Sequence, residues 1–280
     1  MNIFEATKIG NNILKKKGIK SYKLDSEILM AQVLHNSRID IILNSDTSLS
    51  DKETTLYNSL IEQRLKKKPI AYLTGKKEFW KYEFDVTKDV LIPRPDTEII
   101  IEQAVKLTKN KSRLKILDIG VGSGCILLSI LKERKGFYGT GIDICKKTLN
   151  ICKTNVKKLE LFDRIKLFKS DIDNFKYGKY DLIVSNPPYI KKFDLKYLEK
   201  DVYDYEPKSA LDGGLDGLST IKKVIYNSSN LIKRNGILIL EIAFDQNDKV
   251  KKILRRNGYY IKNVVKDLAG NNRCIISIKK

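Results

Sequence analysis

Residues 114–124 read Leu-Lys-Ile-Leu-Asp-Ile-Gly-Val-Gly-Ser-Gly, a short apolar run that ends in a glycine-rich turn. The run at 114–119 has the length and composition of a buried strand, and 124–133 behind the turn has a helical pattern. Glycines in the turn permit positive φ and let a ligand approach the backbone. A strand, a glycine turn and a helix in this order predict the first unit of a doubly wound α/β sheet.

Strand-like and helix-like segments alternate outward from this stretch to the end of the chain. Such alternation predicts a mainly parallel, doubly wound sheet with helices on both faces. Two late strands joined by a short loop predict an antiparallel hairpin at the sheet edge. The seven predicted strands are 114–119, 138–144, 165–169, 180–184, 236–242, 259–266 and 273–278.

The N-terminal part is predicted to be a small helical domain. Leu56, Leu60, Ile61 and Leu65 repeat at helical spacing and predict one apolar stripe. Ser50-Asp51-Lys52-Glu53 fits a capping box at the start of the same helix. The prediction divides the chain into a helical partner-recognition domain at 1–74, a hairpin linker at 75–95 and an α/β domain at 96–280. Asp96 or Thr97 is predicted to cap the next helix, which runs to about residue 107.

Composition excludes several function classes. The 280 residues contain one histidine, His35, so catalytic triads and histidine-rich metal sites are nearly excluded and no metal is predicted. The four cysteines lack a C-x-x-C spacing, which indicates free structural thiols. No apolar run approaches the ~20 residues of a membrane span, and no signal-peptide pattern is present, so a soluble cytoplasmic protein is expected. The net charge of +20 fits a polyanionic partner, but scattered lysines favour compositional bias.

A cofactor site is predicted at the glycine-rich turn. Cys125 stands where the dinucleotide fingerprint G-x-G-x-x-G needs its last glycine, which argues against a nicotinamide cofactor. Asp143 ends the second strand, where a carboxylate can accept hydrogen bonds from two ribose hydroxyls. After the third strand, Asp171 places its loop beside an adenine and Ile172 supplies an apolar contact. Asp118 is predicted to orient the turn or to meet an amino group of the cofactor.

Asn186-Pro187-Pro188-Tyr189 follows the fourth strand and predicts a site for a planar nitrogen. The side-chain oxygen of Asn186 and the carbonyl of Pro187 can accept both N–H bonds of an amide or exocyclic amine. The prolines stiffen the loop, and Tyr189 can stack on the planar group. With the glycine turn upstream, this motif predicts methyl transfer from S-adenosylmethionine, driven by positioning and without a general base.

These motifs resemble the HemK/PrmC family, the glutamine methyltransferases of peptide chain release factors. The resemblance covers nearly the whole chain. Beyond the two motifs it rests on Gly75 to Trp80, 91–98, 205–218 and 267–273, which include Leu-Ile-Pro-Arg-Pro-Asp-Thr-Glu and Asp-Leu-Ala-Gly-Asn-Asn-Arg.

The resemblance implies a class I S-adenosylmethionine-dependent methyltransferase whose helical domain docks a class I release factor. It implies that the glutamine of the factor's Gly-Gly-Gln motif enters at Asn186, Pro187, Pro188 and Tyr189, and that S-adenosylhomocysteine is the second product. The residues that it assigns to the cofactor are Gly120, Val121, Gly122, Ser123, Gly124, Asp143, Ile172 and Asn186. Two positions depart from the family: Val121 stands where threonine is common, and Ile172 replaces an aromatic residue beside the adenine.

Three other interpretations remain open at this point. A glutamine methyltransferase of a ribosomal protein would share both motifs. A nucleic-acid methyltransferase acting on exocyclic amino groups also uses Asn-Pro-Pro-Tyr, although no RNA- or DNA-binding module is visible and nucleic acid is not required. A catalytically idle docking protein would not need both motifs intact. The preferred release factor, the oligomeric state and the role of Arg94 are not predicted.

Overall fold

The computed structural model describes residues 1–280, with eleven α-helices and nine β-strands. The chain divides into two compact units: Met1–Lys76 with Glu199–Tyr205, and Lys77–Leu198 with Glu206–Lys280. The helices are α1 (Ile3–Lys16), α2 (Tyr22–Leu34), α3 (Arg38–Leu43), α4 (Asp51–Leu65), α5 (Ile70–Thr74), α6 (Glu98–Leu107), α7 (Cys125–Glu133), α8 (Lys146–Lys158), α9 (Lys200–Tyr205), α10 (Ser219–Leu231) and α11 (Asn247–Arg256). The strands are β1 (Lys76–Phe79), β2 (Tyr82–Asp85), β3 (Lys115–Ile119), β4 (Tyr138–Asp143), β5 (Ile165–Lys169), β6 (Tyr180–Ser185), β7 (Ile232–Glu241), β8 (Tyr259–Lys266) and β9 (Asn272–Lys279).

The first unit is helical and contains α1–α5 and α9. Its apolar core includes Leu14, Leu29 and Tyr57, each almost fully buried. A buried ion pair joins Arg64 Nε to Asp25 Oδ2 at 2.7 Å, so the one strongly buried carboxylate on α2 has a charged partner. These contacts combine a hydrophobic core with one paired buried charge.

The start of α4 confirms the predicted capping box. Ser50 Oγ accepts from the Glu53 amide, and the Glu53 carboxylate accepts from the Ser50 amide. The predicted apolar stripe of this helix is wrong at Leu56, which is 48% exposed. Tyr57 is buried instead, because its ring packs in the core and its hydroxyl shares a 2.5 Å hydrogen bond with Ser26.

The second unit is built on a seven-stranded sheet with the order β5-β4-β3-β6-β7-β9-β8. The first five of these strands run parallel, and β9 pairs antiparallel with both β7 and β8. This topology confirms the predicted doubly wound sheet with an antiparallel edge hairpin. A separate two-stranded sheet, β1 with β2, lies in the segment where the sequence predicts a hairpin.

Alternate strand residues supply two apolar clusters, one on each face of the sheet. Ile116 and Leu182 pack with residues of α6, α7 and α8. Leu117 and Ile183 pack with residues of α10 and α11. Because successive side chains of a strand point to opposite faces, helices cover both sides and the strand ends form the accessible edge. None of the helices has the length and apolar character that crossing a bilayer requires.

Candidate active site

The glycine-rich turn and the Asn-Pro-Pro-Tyr motif begin side by side at one edge of the sheet. Their strands β3 and β6 are parallel neighbours, with Asp118 paired to Val184. One residue further on, the buried Ser185 hydroxyl donates to the Ile119 carbonyl oxygen at 2.7 Å. Parallel pairing therefore brings together two motifs that are separated by more than sixty residues in the chain.

The glycine-rich loop is held mainly by backbone hydrogen bonds. The amides of Gly120 and Val121 both donate to the Ile142 carbonyl oxygen at 2.9 Å, which ties the loop to the end of β4. Gly120 has φ +78° and Gly122 has φ +56°. A methyl group at Gly120 would meet no protein atom within 4 Å, so this backbone faces open space that a ligand can enter.

Gly124 has a different role from the other glycines of the turn. Its φ is +87°, and a Cβ here would lie 2.8 Å from Cys152 Sγ and 2.9 Å from Leu128 Cδ1. Gly124 therefore lets the start of α7 approach α8 closely. It does not line the cavity described below, so its predicted contact with a cofactor gains no support from its position.

Asp143 connects the end of β4 to the glycine-rich loop. Its Oδ2 accepts from the Gly122 amide at 3.2 Å and its Oδ1 from the Cys145 amide at 2.9 Å. Burial raises the pKa of this carboxyl group, and the backbone hydrogen bonds counteract that rise. Each oxygen keeps a further lone pair, so the carboxylate can still accept hydrogen bonds from a ligand.

A cavity of about 370 Å³ lies between the two loops, a volume within the range of small-molecule sites. Most of the predicted site residues line it, and Asp171 lines it together with Ile172. Gly124, Tyr189 and Asp118 are the predicted residues that do not line it. The predicted residues that do are Gly120, Val121, Gly122, Ser123, Asp143, Ile172, Asn186, Pro187 and Pro188.

Asp118 is fully buried in β3 and does not line the cavity. Neither of its carboxylate oxygens has a partner at full hydrogen-bonding geometry, although the Leu127 amide lies close enough to lower the pKa of the carboxyl group. Burial, together with the charge of Asp143, raises the pKa of the Asp118 carboxyl group well above its ordinary value. The predicted contact of this residue with an amino group of the cofactor is therefore not supported by its position.

The side-chain amide of Asn186 has one end engaged and one end free for a ligand. Its Nδ2 donates to Thr97 Oγ1 at 3.1 Å. Asn186, Pro187 and Pro188 all line the cavity, and every peptide bond of the loop is trans. The Asn186 side-chain oxygen and the Pro187 carbonyl therefore belong to residues that line the cavity and are acceptors that a ligand can use.

Tyr189 packs away from the cavity, and its predicted stacking on the acceptor stays a prediction. The ring lies against the apolar cluster under α10 and α11. Its hydroxyl donates to Glu241 Oε1 at 3.2 Å, and burial beside Glu241 raises the pKa of the phenol. Gln246 Nε2 donates to the Tyr189 carbonyl oxygen at 3.0 Å, which fixes the end of the loop.

Thr97 was predicted as a possible helix cap, and this prediction is wrong for its side chain. Thr97 stands at the N-cap position of α6 but makes no capping hydrogen bond. Its hydroxyl accepts from Asn186 instead. Glu241 is a further residue of this region that is not predicted from the sequence, and desolvation is the chief cause that raises the pKa of its buried carboxyl group to about 7. The one local signal that could have found it is a carboxylate at the end of an apolar strand, the pattern that also marks Asp143.

Two ion pairs border the same region. Arg94, which lines the cavity, pairs with Glu206, whose carboxylate also accepts from the Ile92 amide at 3.2 Å. Arg273 donates to Asp267 Oδ2 at 2.9 Å. The first pair joins the segments 91–98 and 205–218, and the second lies within 267–273; the sequence resemblance rests in part on these segments.

Comparisons with known proteins identify relatives of this chain. A family model described as PrmC N-terminal domain matches residues 5–75, and one described as methyltransferase small domain matches 96–200. The chain is 39% identical to a release factor glutamine methyltransferase of Clostridium botulinum, covering 95% of each chain. It is 32% identical to the protein of that name from Caulobacter vibrioides, covering 100% of this chain and 97% of the other.

A solved structure supports the fold of the second unit. The ribosomal protein L11 methylase of Lactobacillus delbrueckii subsp. bulgaricus superposes with a TM-score of 0.51 at 18% identity. The match covers 68% of this chain and 82% of the methylase. At this identity the likeness concerns the fold alone.

Proposed function

This chain belongs to the release factor glutamine methyltransferase family, and we propose that it methylates the side-chain amide nitrogen of the glutamine in the Gly-Gly-Gln motif of class I peptide chain release factors. The methyl donor is S-adenosylmethionine. The observation that carries this proposal is the single cavity between the glycine-rich loop and Asn186, on neighbouring parallel strands.

The residues around the cavity fit the cofactor. Gly120 offers backbone with open space in front of it, and Asp143 offers carboxylate lone pairs at a strand end. Ile172 adds an apolar surface and is itself 6% exposed. When bound, the cofactor supplies a methyl group on a positively charged sulfonium.

The Asn186 loop orients the acceptor nitrogen. An amide nitrogen is a weak nucleophile because its lone pair is delocalised into the carbonyl group. Two acceptors, Asn186 Oδ1 and the Pro187 carbonyl, can bind both N–H bonds and leave one face of the nitrogen towards the donor side of the cavity. The nitrogen becomes acidic only as its new bond forms, so no side chain has to remove a proton beforehand.

The division of labour along the chain extends the same proposal. The helical domain, predicted at 1–74, docks the release factor, and 96–280 carries out the transfer, with 75–95 as a linker. The match of residues 5–75 to the PrmC N-terminal domain supports this assignment. The pocket residues bind the cofactor and Asn186, Pro187 and Pro188 bind the glutamine, as their place in the cavity lining supports.

The test is transfer of labelled methyl groups to purified substrates. The protein is incubated with methyl-labelled S-adenosylmethionine and a release factor, and mass spectrometry locates the label. A release factor with alanine in place of the Gly-Gly-Gln glutamine is the matched control, and it should stay unlabelled. Label in total RNA or in a ribosomal protein, with none in the release factor, would contradict the proposal.

A further inference from the structure

Asn186 contacts a hydroxyl group that is itself buried. Thr97 is 2% exposed, and its Oγ1 accepts the hydrogen bond from Asn186 Nδ2 at 3.1 Å. A hydroxyl has one proton to donate as well as lone pairs to accept with. The direction in which the Thr97 proton points therefore decides whether Thr97 accepts from Asn186 or donates to it.

A buried carboxyl group, that of Glu241, lies near Thr97. Glu241 is the last residue of β7, which pairs with β6. Leu240, just before Glu241, is the parallel-ladder partner of Ser185, just before Asn186. The Oε1 of Glu241 accepts from Tyr189, while Oε2 is buried with no donor at full hydrogen-bonding geometry. The Thr97 hydroxyl nevertheless lies close enough to lower the pKa of this carboxyl group.

We propose that Glu241, acting through Thr97, is a positioning residue that fixes which end of the Asn186 side-chain amide faces the cavity. A carboxylate can only accept, so the Thr97 proton points to Glu241 and the Thr97 lone pair is left for Asn186 Nδ2. Asn186 Oδ1 must then face the cavity. The catalytic part of this inference rests on the proposed function, because only an N–H donor in the cavity needs that oxygen.

The opposite orientation of Asn186 would defeat binding of an amide nitrogen. The oxygen and nitrogen ends of an asparagine side chain have nearly the same shape, so hydrogen-bond partners alone select between them. With the amide reversed, Nδ2 would meet the N–H of the acceptor, and two donors would face each other in a buried place. The hydrogen-bond series from Glu241 through Thr97 to Asn186 thus decides whether an acceptor or a donor of Asn186 faces the methyl-accepting nitrogen.

The proposal carries a pH dependence with a definite sign. Desolvation raises the pKa of Glu241 to about 7, with Thr97, Arg273 and Tyr189 acting in the opposite direction. As pH falls through that value the carboxyl group gains a proton, can donate, and no longer fixes the Thr97 proton. Turnover should therefore fall on the acidic side. The titratable or charged groups facing Glu241 are Tyr189 on the loop, Asp96 before α6, Cys125 on α7, and Arg273 with Cys274 on β9.

The first experiment removes the Thr97 hydroxyl. Thr97→Val keeps the shape and should lower kcat by about tenfold or more, because Asn186 loses the partner that orients it. Thr97→Ser restores the hydroxyl and should recover most of that loss. Thr108→Val is the matched control. Thr108 follows the last residue of α6 and is also 2% exposed, and its hydroxyl donates only to the Ala104 carbonyl of that helix. Equal kcat in Thr97→Val and Thr108→Val would overturn the proposal.

The second experiment changes the carboxylate itself. The glutamine in Glu241→Gln can donate to Thr97, which would reverse the direction of the hydrogen bonds from Thr97 to Asn186. We therefore expect kcat at pH 8 to fall by about tenfold. The acidic limb with an apparent pKa near 7 in wild-type protein should also disappear. Saturating cofactor keeps titration of Asp143 out of the kcat profile. An unchanged acidic limb in Glu241→Gln would assign the titration to another group and contradict the proposal.

A third readout does not depend on turnover. In ¹⁵N-labelled protein the Asn186 side-chain amide is the resonance pair that Asn186→Ala removes. This pair should shift in Thr97→Val and in Glu241→Gln, and it should titrate near pH 7 in wild-type protein. It should keep its position in Thr108→Val. Asn186 side-chain amide shifts that stay unchanged in both Thr97→Val and Glu241→Gln would overturn the inference. Absence of transfer to release factor by wild-type protein would instead refute the proposed function, and the spectra would still decide the orientation.

Discussion

The two loops that face each other across the cavity are held in different ways. The glycine-rich loop is held through its backbone groups: two of its amides donate to the Ile142 carbonyl, the Gly122 amide donates to Asp143, and the Ser123 carbonyl accepts from Asn155 Nδ2. The Asn186 loop is fixed by side chains from distant parts of the chain, namely Thr97, Gln246 and Glu241. The backbone-built loop offers its own main-chain groups to its partners and should depend on few side chains, whereas the side-chain-built Asn186 loop depends on each of its partners.

Removal of the Asn186 side chain should have the largest effect. Asn186→Ala deletes the acceptor for the substrate N–H, and kcat should fall by about 10²–10³-fold or more, as for other lost positioning groups in active sites. Cofactor affinity should change little, because the glycine-rich loop has its own supports. Turnover with release factor gives the first quantity, and calorimetric titration with S-adenosylhomocysteine gives the second.

Asn257→Ala is the matched control for this substitution. Asn257 lies at the C-terminal end of α11, and its side chain bonds only the Ile253 carbonyl of the same helix. Its loss should leave both turnover and cofactor affinity unchanged. If Asn186→Ala weakened cofactor binding and spared kcat, the two sites would have been assigned the wrong way round.

Asp143 provides the corresponding test on the cofactor side. Asp143→Ala removes a carboxylate that lines the cavity and binds the Gly122 amide. The dissociation constant of S-adenosylhomocysteine should rise by about 10–100-fold, as expected for charge-assisted hydrogen bonds. At saturating cofactor kcat should stay within a few-fold of wild type.

Asp181→Ala is the control for the Asp143 substitution. Asp181 also accepts from a backbone amide, that of Lys115, and from Lys233, but it lies at the amino ends of the strands. Its removal should leave cofactor affinity unchanged. Equal weakening by both substitutions would mean that Asp143 acts through general stability and not through the site.

The backbone-built loop could be predicted from sequence, while most of the side-chain network could not. Glycine spacing after an apolar run is a local signal, and the turn that it marks contains Gly120 and Gly122, which line the cavity. Thr97 gave a local signal too, but for a helix cap, and tertiary contact with Asn186 overrode it. Nothing in the local sequence of Glu241 indicates that β7 lies next to β6, because that pairing is a property of the sheet order.

Gly124 shows a second limit of reading motifs. All three glycines have positive φ, and the sequence treats them alike. Only the packed structure reveals that a Cβ at Gly124 would meet Cys152 and Leu128, while one at Gly120 would meet open space. The same spacing therefore contains one glycine that faces the ligand side and one that serves helix packing.

Alanine at these two glycines should separate stability from binding. Gly124→Ala combines backbone strain with overpacking and should lower the free energy of unfolding by about 2–4 kcal/mol. Gly120→Ala carries only the strain, about 1–2 kcal/mol, but its methyl group enters the cavity and should weaken cofactor binding about tenfold. Urea unfolding and calorimetry measure the two effects. A larger loss of stability at position 120 than at 124 would contradict the packing role of Gly124.

The contact that joins the two loops should contribute least. Ser185 Oγ donates to the Ile119 carbonyl at 2.7 Å, where β6 and β3 end. Ser185→Ala should cost about 1 kcal/mol of stability, the usual net value of one hydrogen bond. The effect on kcat/KM should be only a few-fold, because the parallel ladder that pairs Asp118 with Val184 keeps the two strand ends in register.

Ser277→Ala separates the local effect of Ser185 from the loss of any buried hydroxyl. Ser277 is fully buried on β9 and donates to Leu238 within β7, away from the cavity, at 3.4 Å. Ser277→Ala should lose no more stability than Ser185→Ala, that is, about 1 kcal/mol or less. Only Ser185→Ala should change kcat/KM. A loss of more than about 10²-fold at Ser185 would mean that side chains, and not the strand ladder, hold the loops together. The distinction between a backbone-built and a side-chain-built loop would then fail where the two loops meet.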